Sequence, residues 1–113
     1  MIRVVIIDDH VVVRTGLRYI IEADPELEFA GEFGGGLGAA DFVMYSNPDV
    51  VLLDVRMPDR NGIDALKDIL TANPRAKVVM LTTSDAISAS TSDFSKARSQ
   101  PVIVQLTSFT PLE

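Results

Sequence analysis

The sequence predicts an α/β domain built on a doubly wound parallel sheet of five strands. Three observations carry that expectation. Short β-branched runs at 4–7 (VVII), 50–53 (VVLL) and 78–81 (VVML) are continuous rather than alternating, the pattern of strands buried on both faces. Helix-period stretches lie between the runs, which makes βαβ units. Polar residues that bind ions or oxygens stand directly after each run: Asp8 and Asp9, then Asp54, then Thr82 and Thr83.

Taken in order, the first strand runs straight into the acid pair. A helix beginning near Val11 follows, with Val13, Leu17, Ile20 and Ile21 on one face and Arg14, Arg18 and Glu22 on another. Asp9 also stands where it could cap that helix. Residues 27–33 alternate Leu27, Phe29 and Gly31 against Glu28 and Glu32, which predicts an edge strand. The stretch "GGGLG" (34–38) lacks the Lys-Ser/Thr pair of a phosphate loop and reads as a flexible loop before the second helix. That helix is expected to bury Leu37, Ala40, Val43 and Met44 and to stop at Asn47-Pro48. The third is expected to bury Ile63, Leu66, Ile69 and Leu70 and to stop at Asn73-Pro74. Met44, Met57 and Met80 read as packing residues.

The composition then changes. Residues 1–83 contain one serine, Ser46, whereas 84–113 contain seven. Serine competes for backbone hydrogen bonds and weakens a helix, so a helix over 86–98 is expected to be weak. "PVIVQL" (101–106) reads as a fifth strand, and no closing helix follows it. A natural variant, a frameshifted end or a truncation would each give this pattern.

At 113 residues the chain is one domain by length. A formal charge of −6 argues against direct nucleic-acid binding, which needs a basic face. The absence of cysteine excludes disulfides and thiolate metal sites. No apolar run has the length of a membrane span, and the N-terminus lacks a signal-peptide pattern. The expected location is the cytoplasm.

In open α/β sheets, function gathers outside the carboxyl ends of the strands. Asp8, Asp9 and Asp54 therefore converge on one rim with Thr82. Two unit charges 4 Å apart repel by roughly 4 kcal/mol at an effective dielectric near 20. Three such groups call for a cation or a bound proton. A hard, oxygen-seeking ion such as Mg²⁺ fits.

"VVIIDDH", "PDVVLLDVRMPDRNGIDAL" and "AKVVMLTT" resemble the receiver domain of bacterial response regulators, a flavodoxin-like fold, and most closely receivers of NarL/FixJ-type transcription factors. The resemblance covers residues 2–83; residues 84–113 are atypical for it. It implies that Asp54 accepts a phosphoryl group from a phosphohistidine on a sensor histidine kinase. It further implies that Asp9 binds Mg²⁺ directly, Asp8 through water, and Asp54 and the backbone carbonyl of Arg56 complete the protein ligands. Thr82 would hydrogen-bond the phosphoryl oxygen, and Pro58 and Gly62 would shape the loop after Asp54, Gly62 by adopting backbone angles closed to other residues.

The chain departs from the family at the end of the fifth strand. Receivers place a lysine there; this sequence has Val104, Gln105 and Leu106, and its nearest lysine is Lys96. The aromatic switch residue of that strand is absent too, and Phe109 falls too late for it. Without a closing helix one sheet face would meet water, so self-association into a homo-oligomer with exchanged C-terminal segments is expected. His10, the single histidine, could line the site, but it reads first as a surface residue at a helix start. Arg56 and Arg60 suit either a kinase contact or a solvated face. Two rivals stand beside the phosphoacceptor switch, whose DNA-binding output module would lie outside this chain. One is a receiver-shaped interaction module that is not phosphorylated. The other is a Mg²⁺-dependent phosphohydrolase, which would want an acid where Arg56 stands, two residues beyond the nucleophile.

Overall fold

A computed structural model describes residues 1–81 and the strand segment 104–106. Strand β1 (Ile2–Ile7) is followed by α1 (Val11–Ala23), β2 (Leu27–Phe33), α2 (Ala39–Ser46), β3 (Val50–Asp54), α3 (Gly62–Ala72), β4 (Val78–Leu81) and β5 (Val104–Leu106). The strands form one parallel sheet in the order β2-β1-β3-β4-β5. The alternating strand β2 lies at an edge, and the continuous runs fill the centre, as their patterns predict.

Strand alternation sends two sets of side chains to opposite faces. Val4, Ile6, Val50, Leu52, Val79 and Leu81 pack with Leu17 and Ile21 of α1. Val5, Ile7, Val51, Leu53, Val78 and Met80 pack with Ala39 and Val43 of α2 and with Ala65, Leu66 and Ile69 of α3. Each fully buried Val, Leu or Ile contributes roughly 1.5–3 kcal/mol, so the three central strands anchor the domain. Register then fixes the rim. Ile7 pairs with Leu53, which places Asp8 and Asp54 at the next step on neighbouring strands.

The helix ends follow the sequence and the helix faces only partly do. Asn47 closes α2 in the left-handed conformation (φ 48°), its N–H donating to the Val43 carbonyl; Asn73 closes α3 by donating to the Ile69 carbonyl. In α1, Leu17 and Ile21 are buried as expected, with Val13 and Ile20 partly covered. The α2 expectation is corrected in part: Val43 is buried and Ala40 packs against the core as expected, whereas Leu37 and Met44 are exposed and Ala39 is buried instead. Ile63 is likewise exposed at the start of α3, where Gly62 and Ala65 sit inward. At Gly62 the inward position admits only glycine, because a Cβ there would meet the backbone of Asp54 and Val55. Among the described residues, no helix is long and apolar enough to cross a membrane. The expectations for Thr82, Thr83, the 86–98 helix, Lys96, residues 101–103, Phe109 and the missing closing helix lie outside the described residues.

Candidate functional site

Three carboxylates meet at the carboxyl ends of β1 and β3. The β1–β2 ladder runs on to Asp8, whose N–H donates to the Phe33 carbonyl (3.1 Å), and the Arg14 guanidinium holds the Asp8 carbonyl at 2.5 Å. Asp8 is 2% exposed and is the one buried charged residue among those described. Its Oδ1 accepts from the His10 backbone N–H (2.7 Å), which tightens the turn into α1. Asp54 ends β3, anchored on the other side by the Val55 N–H donating to the Leu81 carbonyl of β4 (3.1 Å). Its Oδ1 accepts from the Arg56 N–H (3.1 Å).

Asp8, Asp9, His10 and Asp54 each offer a donor atom, and these atoms all lie within 4.8 Å of one another. His10 is therefore a site residue and not merely a surface one. Its ring is half-exposed, yet Nδ1 lies 2.9 Å from Asp8 Oδ1, 3.1 Å from Asp9 Oδ1 and 3.6 Å from Asp54 Oδ2. Only the contact to Asp8 has hydrogen-bond geometry, so Asp9 Oδ1 and Asp54 Oδ2 remain buried without a hydrogen-bond partner. His10 also holds the N-cap position of α1, with no side-chain cap; Asp9 is thus not the helix cap the sequence allowed. No spacing rule would have found the imidazole, because its direction depends on the turn made at Asp8.

The electrostatics match this crowding. Burial pushes the Asp54 carboxyl up to about 6, opposed by the Arg56 amide and reinforced by the Asp8 charge. Burial also raises Asp8 against the hydrogen bonds from His10. His10 is raised in turn, chiefly by its bond to Asp8. Like charges in a partly dry site make each carboxylate costlier to ionise. Two unpartnered oxygens beside a third acid are the donor set of a hard divalent cation, and these residues fit one.

The loop after Asp54 is fastened to the glycine stretch. Asp59 Oδ1 accepts from the Gly36 N–H (3.1 Å) and Oδ2 from the Leu37 N–H (3.0 Å). These amides hold the Asp59 carboxyl below its ordinary range. A Cβ on Gly35 would meet the Asp59 carboxylate, and one on Gly36 would meet the Arg60 backbone carbonyl. "GGGLG" is a loop before α2, as expected, and it also serves as a socket for a carboxylate of this same chain. Arg60 is committed as well, forking onto Asp68 at 2.6 and 2.9 Å, whereas Arg56 is exposed. Of the methionines, Met57 and Met80 are buried and Met44 is not. Asp59→Ala is expected to speed amide hydrogen exchange at Gly36 and Leu37 several-fold while leaving the sheet amides unchanged; unchanged exchange at both would mean the socket holds without its carboxylate.

Gly62 begins α3 directly behind Asp54. Its φ is not in the left-handed region, so the expected conformational reason for glycine is replaced by a steric one. A Cβ there would collide with the Asp54 carbonyl oxygen and sit 2.6 Å from Val55 Cα. Asn61 caps the helix, its side chain accepting from the Ile63 N–H (2.7 Å).

Comparison with known proteins agrees with this geometry. The family model "Response regulator receiver domain" matches residues 4–104. The transcriptional regulatory protein YxjL of Bacillus subtilis is 45% identical over 84 residues, 74% of this chain and 38% of that protein. The DNA-binding transcriptional activator DevR/DosR of Mycobacterium tuberculosis is 45% identical over 82 residues, 73% of this chain and again 38% of that protein. The chain therefore spans little more than a third of the length of these relatives. Among solved structures, the response regulator domain of Thermotoga maritima CheB superposes with a TM-score of 0.73 at 27% identity, covering 100% of this chain and 83% of that one.

Proposed function

The chain belongs to the response regulator receiver domain family, and on that premise we propose that Asp54 is its phosphoacceptor, charged by a phosphohistidine of a sensor histidine kinase. One observation carries the assignment. Asp54 Oδ1 is tied to the Arg56 amide, while Oδ2 is buried with no hydrogen-bond partner beside Asp8 and Asp9. In the transfer, a carboxylate oxygen of Asp54 attacks phosphorus, the P–N bond breaks, and its electron pair stays on the donor imidazole. The product is an acyl phosphate on Asp54. Phosphoryl transfer asks a protein mainly for position and charge neutralisation, and the Arg56 amide supplies position by fixing the carboxylate plane.

Asp8, Asp9, Asp54 and the backbone carbonyl of Arg56 would hold Mg²⁺, which when bound neutralises charge and orients the reacting oxygens. Thr82, next after Leu81 of β4, would donate its hydroxyl to a phosphoryl oxygen. A phosphoryl group adds about −1.5 to −2 charges, enough to draw such a hydroxyl inward and alter a nearby surface. In this reading the domain is a cytoplasmic, non-enzymatic switch that self-associates and controls a DNA-binding output module of a longer regulator, without touching nucleic acid itself. The intact acid triad favours it over an interaction module that has lost its switch. Arg56 stands where an aspartate-based phosphohydrolase would want an acid, which argues against that reading.

Incubation with Mg²⁺ and a small phosphoryl donor is expected to give one phosphoryl adduct by intact mass, absent in Asp54→Asn. A folded protein that gains no adduct, or an adduct that persists in the variant, would overturn the assignment.

A further inference from the structure

We propose that His10 is a metal ligand of the acidic cup, so that this site selects a nitrogen-accepting later transition ion, such as Co²⁺, more strongly than three carboxylates would. The inference rests on the magnesium-cup reading and adds a fourth side chain to it. The argument is one of spacing. Neighbouring donors around an ion with bonds of about 2.1 Å stand about 3 Å apart at right angles. His10 Nδ1 lies 2.9, 3.1 and 3.6 Å from oxygens of Asp8, Asp9 and Asp54, the first as a hydrogen bond in the ion-free site, and these spacings match those of donors that share one ion.

Two further observations support this. Asp9 Oδ1 and Asp54 Oδ2 are buried without hydrogen-bond partners, and the His10 ring hydrogen-bonds only Asp8, so two cup oxygens are left for an ion. The His10 backbone N–H is already bound to Asp8 Oδ1, which pins the residue at the mouth with its ring half-exposed. A neutral imidazole suits the later first-row ions, whereas Mg²⁺ prefers oxygen alone. The nitrogen therefore tilts selectivity without being needed for Mg²⁺.

The test uses the chain's single histidine, since any imidazole nitrogen at the metal must then be His10. Calorimetric titration with Mg²⁺ and with Co²⁺ is compared between the protein, His10→Phe and His10→Asn, and pulsed EPR is recorded on the Mn²⁺-loaded forms. The Co²⁺-to-Mg²⁺ affinity ratio is expected to fall by about tenfold or more in both variants, as loss of a group that merely orients a ligand already costs about tenfold. A nitrogen hyperfine coupling is expected in the Mn²⁺ spectrum and should vanish with His10. Equal tightening of both ions in the variants would make the imidazole a competing counter-charge and overturn the proposal, as would a Mn²⁺ spectrum without nitrogen coupling. Asp9→Asn separates the two readings. If it leaves ion binding intact, or if no ion binds the protein at all, the cup itself fails and the ligand with it.

Discussion

Gly62→Ala is expected to cost about 3 kcal/mol or more of folding stability, although alanine is the better helix former. On an open helix that exchange would stabilise by roughly 1 kcal/mol. Here the added methyl would lie 2.6 Å from Val55 Cα and 2.9 Å from the Asp54 carbonyl carbon, and closer still to its oxygen. These are backbone atoms, so no rotamer change relieves the overlap. Insertion into packed structure costs typically 1–3 kcal/mol, and a backbone that must move takes Asp54 with it. Urea unfolding checks the sign and size. A loss below about 1 kcal/mol would mean the loop yields easily, and Mg²⁺ affinity would then be expected to survive.

Asp54→Asn is expected to stabilise the ion-free protein at neutral pH by an amount approaching 3 kcal/mol. In the folded protein the Asp54 carboxyl sits at about 6, against an ordinary 3.8, and such a displacement is worth roughly 3 kcal/mol. The folded state holds this proton more tightly than the unfolded chain does. Its contribution to stability is therefore whole below pH 3.8, shrinks as pH rises towards 6, and is gone above. The variant lacks that decline, so the two stability curves should meet in acid and part at neutrality. Saturating Mg²⁺ should close the gap from the other side, since an ion at a hundred times its Kd adds about 2.7 kcal/mol to the form that binds it. Curves that stay parallel from pH 4 to 8 would show that Asp54 ionises without penalty.

The sheet was legible because burial on both faces leaves a mark in a single strand: Val4 to Ile7, 50–53 and 78–81 are apolar at every position, and all are buried. The acids at their ends were legible for the same reason, since a polar residue after such a run has to sit at the rim. Helix stops at Asn47 and Asn73 followed from local backbone preference. The faces of α2 and α3 followed in part: helical spacing places Val43, Leu66 and Ile69 in the core, where they are buried, but also Leu37, Met44 and Ile63, which are exposed. Asp59 was missed and His10 reads first as a surface residue for a shared reason. Each acts through geometry made elsewhere: the first through the turn at Asp8, the second through amides twenty-two and twenty-three residues away.

The carboxylate socket has a consequence for how this sequence can change over generations. Gly35 and Gly36 are held to hydrogen side chains by Asp59 and Arg60, and Asp59 owes its seat to the amides that only such bare backbone can bring near. A larger residue on either side is a single step into a clash or an emptied socket, so neutral drift at one end is barred until the other has changed. Positions 35 and 59 form one heritable unit, and a lineage that shortens the side chain at 59 gains room for a larger residue at 35, while 36 stays bound by the backbone at 60.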